Sequence, residues 1–307
     1  MENTKNATMG YVYALQAFLT WGILPIFWKL LSDVSALEIL AHRIFWSFVF
    51  LIILLILTRQ KNVWSLLRQK KTRKSLIISS LLIGLNWGLF IYAVNTKQIV
   101  EASLGYYINP IVNVILGMIV LNEKLDKLKY IAVFIASAAV IYLTIDYGKF
   151  PWISIILACS FGLYGLTKKT AGIEAIPSLA VETLILAPFA LGYILYKMWI
   201  GSGALFTGSI STSIYLMLTG IVTSLPLYWF AKGALRIPLS ALGFMQYIAP
   251  TLMLLIGVLI YNEPFRHEQF IAFGLIWIAL TLYTTSIIRN TRKKIKAELK
   301  SNLQRQN

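Results

Sequence analysis

Charge is what this sequence has least of. Only 12 of its 307 residues are Asp or Glu, and charged residues of both signs make up 13%, against about 25% in an average soluble domain. A chain this poor in charge has too few polar groups to cover a compact surface facing water, so its natural solvent is lipid. Cysteine is nearly absent: Cys159 alone excludes an internal disulfide and reads as a small apolar filler. The two histidines, His42 and His267, lie too far apart to form a metal-binding pair on one helix, which leaves a zinc enzyme unsupported. Asp33, Asp126 and Asp146 fall at the ends of apolar runs, not in a facing pair inside them, so an intramembrane aspartyl protease is unsupported too. Phosphate-binding glycine loops are missing, which leaves an ATP-driven pump unsupported; a channel stays open as a reading, with neither charge rings nor a backbone filter motif in the sequence. No catalytic residue, metal or cofactor is expected. The only long polar stretches are Arg59–Lys74 and the tail from Arg289 onward, and neither is long enough for a folded soluble domain.

What is present is hydrophobic length. Apolar residues reach 58%, and they fall in runs near the roughly 20 residues needed to cross a hydrocarbon core of about 30 Å. The runs are Gly10–Leu31, Leu37–Thr58, Leu76–Asn95, Ala102–Leu121, Tyr130–Ile145, Trp152–Thr167, Ser178–Met198, Ser213–Ala231, Leu239–Tyr261 and Phe270–Ile288. The expectation is therefore an all-α integral membrane protein with ten transmembrane helices. The fifth and sixth runs are parted only by Asp146–Pro151. The first run is long enough to span and no small-residue cleavage site follows it, so it is expected to be retained rather than removed as a signal peptide.

The formal net charge of +16 does not point to nucleic acid, because Lys and Arg gather in short loops between apolar runs. With the N-terminus inside, 22 of the 28 basic residues fall on the inner side. Lys29, Lys97, Lys149, Lys197 and Arg266 lie outside, one per loop, and Arg43 stays within a helix. That bias predicts a multi-pass protein of a cytoplasmic (inner) membrane with both termini cytoplasmic. The expected partners are the lipid bilayer and a small-molecule substrate; nothing specifies an oligomeric state.

The chain also repeats itself. Asn109-Pro110 and Ala249-Pro250 are each followed by an Asn-Glu pair at the same distance, Asn122-Glu123 and Asn262-Glu263. Leu104-Gly105 matches Leu242-Gly243, Ala93 and Ile99 match Ala231 and Ile237, and Trp21-Gly22 with Lys29 matches Phe161-Gly162 with Lys169. Five helices per half is an odd number, so the second half is expected to be inverted relative to the first, an arrangement recurrent in transporters with a site near the midplane. The expected organisation is a first repeat over 1–146, a second over 147–288 and a basic tail over 289–307.

Several stretches that carry polar residues inside apolar helices resemble a known family. They are Trp21-Gly-Ile-Leu-Pro-Ile-Phe-Trp-Lys29, Ile39-Leu-Ala-His-Arg-Ile-Phe-Trp-Ser47, Ser103-Leu-Gly-Tyr-Tyr-Ile-Asn-Pro110, Val181-Glu-Thr183 and Leu242-Gly-Phe-Met-Gln-Tyr-Ile-Ala-Pro-Thr251. Together they are similar to the RarD-type branch of the EamA permeases, in the drug/metabolite transporter superfamily. Lys124 departs from the pattern, which has Arg there. The resemblance implies a ten-helix fold of two inverted EamA repeats that exports metabolites or drugs; it does not fix a substrate.

Ionisable residues inside spans are costly, about 2.5–3.5 kcal/mol at a helix centre on insertion scales, and so mark candidate sites. Arg43 and its neighbour His42 lie roughly 9 Å below the outer boundary. A guanidinium there suits a substrate carboxylate; snorkelling to the interface is the alternative. Lys29 lies at similar depth, and Glu38 is placed to neutralise one of the two cations. Glu182, near the inner boundary, is a candidate for proton coupling or, alternatively, a fixed partner of Lys168, Lys169 or Lys232. Asn86, Trp87, Tyr92, Tyr106, Tyr107, Asn109, Tyr228, Trp229, Gln246 and Tyr247 supply the aromatic and amide groups that a pocket for an amphipathic metabolite needs. Pro110 and Pro250 are candidate hinges, and Asn122-Glu123 and Asn262-Glu263 are read as caps or loop anchors. The functional expectation is a secondary-active permease exporting a small polar or carboxylated compound by alternating access. A lipid-handling or non-transporting membrane helper is the alternative.

Overall fold

The computed structural model describes residues 2–59, 63–206, 209–262 and 267–306. All regular secondary structure among them is helical. In chain order the helices are α1 (Glu2–Lys29), α2 (Ala36–Leu57), α3 (Val63–Arg68), α4 (Lys70–Asn95), α5 (Ile99–Val120), α6 (Lys127–Tyr147), α7 (Trp152–Ala171), α8 (Ala175–Trp199), α9 (Ile210–Arg236), α10 (Leu239–Met245), α11 (Ile248–Leu259) and α12 (His267–Gln306). Nine segments among the described residues are long and apolar enough to cross a membrane, with α10 and α11 together forming one of them. The chain is a multi-pass membrane protein. The 20-residue α7 is not one of the nine, because Lys168 and Lys169 dilute its last turn.

Local chemistry sets the helix ends. The Ser35 hydroxyl accepts from the Glu38 amide at the start of α2, Asp126 from Lys129 at the start of α6, and Ser209 from Thr212 at the start of α9. Each satisfies one of the amides that a first turn leaves bare. Gly148 ends α6 with φ 72° and Gly172 ends α7 with φ 63°, a conformation open to glycine because it lacks a Cβ. Gly148 thereby parts α6 from α7.

The matched prolines behave differently. Pro110 sits inside an unbroken α5. Pro250 is the third residue of α11, just past a tightened turn in which the amides of Gln246, Tyr247 and Ala249 bond carbonyls three residues back. In the first turn of a new helix proline's missing N–H costs nothing, so the second of the two is a helix break and the first is not. The basic tail is no separate segment either: α12 continues through it to Gln306. Glu263, Arg266 and Lys61 lie outside the described residues.

Helices before residue 147 pack chiefly on helices after it. α1 lies on α9 and α11, α2 on α8 and α9, α4 on α7 and α8, α5 on α7 and α10, and α6 on α12. The centre is aromatic. Phe18 and Trp21 of α1, Phe161 and Tyr164 of α7 and Phe230 of α9 meet at ring-centroid distances of 5.2–6.2 Å. Glycine lets the backbones approach this closely. A Cβ placed on Gly220 of α9 would lie 2.3 Å from the Trp46 carbonyl carbon of α2. Membrane helices associate through such close packing rather than through a hydrophobic driving force. Gly220→Ala is therefore expected to lower the melting temperature and the yield of folded protein in detergent, by about 1–3 kcal/mol or more. Gly88→Ala, where a Cβ meets nothing within 4 Å, is the matched control and is expected to leave both unchanged.

Candidate functional site

Arg43 is the most unusual residue inside the spans. It sits two turns into α2, half-buried, with its Nε donating to Thr223 Oγ1 of α9 at 3.1 Å. The guanidinium lies 4.9 Å from the Trp28 ring of α1 and 5.3 Å from the Trp87 ring of α4. Four helices from both halves thus surround one cation. Ser47, one turn further along α2, donates to the Gly220 carbonyl at 3.2 Å and fixes the register of α2 on α9. No carboxylate pairs with Arg43 among the described residues. Glu38, expected at this level as a neutralising group, instead accepts from the Ala204 amide at 2.6 Å and anchors the α8–α9 loop. Two indole faces and one hydroxyl surround the guanidinium, which carries five N–H donors in all.

The other predicted site residues divide among several places. His42 is 1% exposed; its Nδ1 accepts from Trp46 Nε1 at 3.2 Å, and its buried Nε2 makes no hydrogen bond among the described residues. Lys29 is not beside Arg43: its ammonium lies 3.5 Å over the Tyr261 ring. Tyr106 is 44% exposed with its ring 6.3 Å from Phe90. The Tyr92 ring lies 6.1 Å from that of Trp152, tilted by 54°, and Tyr228 lies 4.5 Å beneath the Lys232 ammonium. Neither touches Arg43, and Trp229 is a half-buried packing residue. Tyr247 donates to the Tyr107 carbonyl at 3.2 Å, joining the break before α11 to α5.

A chain of amides forms a second centre. Asn109 Nδ2 donates to the Ala158 carbonyl at 2.6 Å; Asn113 Nδ2 donates to Asn109 Oδ1 at 3.0 Å and to Gln246 Oε1 at 2.8 Å. Asn86 Nδ2 donates to the Leu157 carbonyl at 2.9 Å and Ser160 Oγ at 3.0 Å. Asn113 was not among the sequence candidates, although its i,i+4 spacing from Asn109 places both on one face of α5. It is fully buried, and its Oδ1 is unbonded among the described residues.

Glu182 stands in a third cluster, 2% exposed. Lys168 Nζ contacts its Oε1 at 2.5 Å, Ser79 and Ser178 donate to the same oxygen at 2.5 and 3.1 Å, and Tyr164 donates to Oε2 at 3.2 Å. Lys168 also donates to Ser178 Oγ at 2.7 Å. This is the fixed-partner arrangement that the sequence left open, with α4, α7 and α8 each contributing. Lys169 is turned elsewhere, onto the Ala234 and Ile237 carbonyls that end α9. Of the two carboxylates read as anchors, Glu123 caps α10, accepting from Leu239 N at 2.6 Å and Ser240 N at 2.9 Å.

Breaking a buried pair strands a charge, at about 3–5 kcal/mol, whereas replacing both partners by apolar residues is near neutral. Lys168→Met is accordingly expected to lower thermal stability in detergent sharply, and Lys168→Met with Glu182→Leu to restore most of it. A mild single-variant effect would show the pair to be solvated.

The EamA-like transporter family matches residues 8–145. An uncharacterized transporter of Bacillus subtilis, YojE, is 46% identical over 284 residues, covering 91% of this chain and 95% of that protein. Protein RarD of Salmonella typhimurium is 41% identical over 293 residues, 95% of this chain and all of that one. A solved crystal structure with 18% identity superposes with a TM-score of 0.70 over 92% of this chain and 96% of its own, which at that identity speaks for the fold. With near-full-length relatives at this identity, the chain is a membrane transporter that belongs to the EamA family, in its RarD-type branch.

Proposed function

We propose that this protein is a secondary-active permease that exports a small polar or carboxylated compound across a cytoplasmic membrane by alternating access, with Arg43 receiving the anionic group. The observation that carries the reading is the Arg43 guanidinium itself, held within a span by Thr223, Trp28 and Trp87 without a carboxylate partner among the described residues. A cation inside a span that no carboxylate among the described residues neutralises is expensive, and an anionic substrate is what makes the cost useful. Trp87 and Tyr106 flank this level as apolar walls. His42 Nε2 and the Asn109–Asn113–Gln246 chain offer further polar contacts.

The finer architecture of ten spans in two inverted repeats, 1–146 and 147–288, has its own support. The family match ends at Ile145, beside the expected boundary. Helix contacts come in matched sets: α1 on α9 corresponds to α7 on α4, α2 on α9 to α8 on α4, and α5 on α7 to α11 on α1, while α2 meets its counterpart α8 and α6 its counterpart α12. The matched pair Trp21 and Phe161 meet each other at 5.8 Å. A Cβ on Gly22 would lie 2.7 Å from Leu252, and one on its counterpart Gly162 would lie 2.7 Å from Val112, the counterpart of Leu252. Reciprocal contacts of this kind are the mark of a two-fold relation. The charge bias supports both termini on the cytoplasmic side.

Detergent-purified protein screened for thermal stabilisation by amino acids, organic acids, nucleosides and amphenicol-type drugs tests the site. A true ligand adds about 2.7 kcal/mol at one hundred times its dissociation constant, and Arg43→Gln is expected to weaken a carboxylated ligand by about tenfold or more. An unchanged affinity would remove Arg43 from the site. Energy coupling is assigned to Glu182, released from Lys168 in the opposite state. In proteoliposomes loaded with that ligand, Glu182→Gln is expected to abolish dependence on a pH gradient while exchange of ligand persists. Unaltered gradient dependence would leave Glu182 as a fixed ion-pair partner.

A further inference from the structure

The outer face of α12 carries a group of residues that the transport reading does not use. Thr285, Ile288, Arg289, Arg292 and Lys293 line a concavity of about 320 Å³, and all five are exposed. Their spacing of three, one, three and one places them on a single helical face. The rotation of α12 is fixed from the opposite side. Ser286, 1% exposed, and Asn290 both donate to the Asp126 carboxylate at the start of α6, Asn290 at 2.6 Å. Partial burial pushes the Asp126 carboxyl up, but the hydrogen bonds from Ser286, the Lys129 amide and Asn290 outweigh it and hold the group below its ordinary range. The Asp126 carboxylate is therefore committed to Ser286, Asn290 and the start of α6, and no carboxylate pairs with Arg289, Arg292 or Lys293 among the described residues. Lys129, 5.5 Å from the Tyr283 ring, adds positive charge beside this end of α12.

Depth places the face at a boundary. The apolar span of α12 runs His267–Lys293 over 27 residues, about 40 Å at 1.5 Å per residue, against a hydrocarbon core of about 30 Å and about 40–45 Å with headgroups. Arg289, Arg292 and Lys293 thus lie in the headgroup layer, with Thr285 and Ile288 just below them. Three cations above a less polar stretch match the charge profile of an anionic phospholipid, whose phosphate lies outside its glycerol and chains. The geometry points to a binding site for one anionic phospholipid on this face, its phosphate between Arg289, Arg292 and Lys293 and its glycerol region beside Thr285 and Ile288. The site rests on membrane insertion alone and is independent of what is transported.

Native mass spectrometry of the detergent-purified full chain tests it, with phosphatidylglycerol, phosphatidylcholine and water-soluble glycerol phosphate as probes. Retention of phosphatidylglycerol over phosphatidylcholine is expected. Removing each charge, as in Arg289→Gln, Arg292→Gln and Lys293→Gln, is expected to weaken it about fivefold per residue. Arg68→Gln with Lys70→Gln and Lys71→Gln is expected to leave retention unchanged. Equal loss in that second variant would make the attraction diffuse and overturn the site. Equal binding of glycerol phosphate would overturn the lipid in favour of a soluble anion. Equal retention of the two lipids by the unaltered protein overturns the proposal without any variant.

Discussion

α5 is clamped at both ends by carboxylates that cap helices of the other half. At its first turn Glu101, 3% exposed, accepts from the Ile153 amide at the start of α7 at 2.8 Å and from the Tyr147 hydroxyl at 3.0 Å, and Ser154 closes onto its backbone carbonyl. Just beyond its last turn Glu123 accepts two amides at the start of α10. A carboxylate at a helix N-terminus meets both bare N–H groups and the positive end of the helix dipole. In lipid, where no water replaces these bonds, each bare amide would cost several kcal/mol. The two caps thus decide where α7 and α10 begin relative to α5, and with them the position of everything at the seam.

The rest of the buried polarity follows the same rule of being satisfied across the seam. Asn86 and Asn109 reach carbonyls of α7, Ser47 a carbonyl of α9, and Asn113 the amide of Gln246 at the break before α11. Ser79 of α4 completes the Lys168–Glu182 pair of α7 and α8. Each half alone would bury these groups unpaired, so neither has a satisfied interior without the other. The exceptions among the described residues include His42 Nε2 and Asn113 Oδ1, which make no hydrogen bond, and Arg43, which has no carboxylate partner.

Much of this was legible in the sequence, and for stated reasons. Bilayer thickness forces apolar runs of a set length, so the spans can be read directly, down to the short Asp146–Pro151 separator that Gly148 turns into a helix end. The matched positions Trp21 and Phe161 meet each other in the centre of the bundle. Partner identity was not legible. Sequence gives the depth of a residue along its helix but not the direction it faces in the bundle. Glu182 was therefore placed near the inner boundary together with three candidate lysines, and only packing selects Lys168. Lys29 and Arg43 share a depth but not a neighbourhood, since Lys29 turns to Tyr261. Thr223 and Ser79 carried no signal, because hydroxyls in helices commonly bond their own backbone carbonyls. The matched prolines misled by symmetry: the same residue is continuous with its helix in α5 and follows a break before α11.

The strengths of the seam contacts also indicate which of them a change of state would break. Alternating access requires some contacts between halves to part while others hold. The Glu123 and Glu101 caps each join an anion to backbone amides of the other half; parting either leaves several kcal/mol uncompensated. Arg43 is held to α9 by one hydrogen bond to a neutral hydroxyl and to α1 and α4 by ring faces. Contacts of those kinds are worth about 1–3 kcal/mol each, and an incoming carboxylate replaces them with stronger ones. The contacts at the level of Arg43 are therefore the weakest of those that join the halves, and the two caps the strongest. On the proposed reading of Arg43 as the anion-receiving residue, substrate binding and the loosening of the seam would be one event, because the residue that gives up its protein contacts would be the one that gains the ligand's.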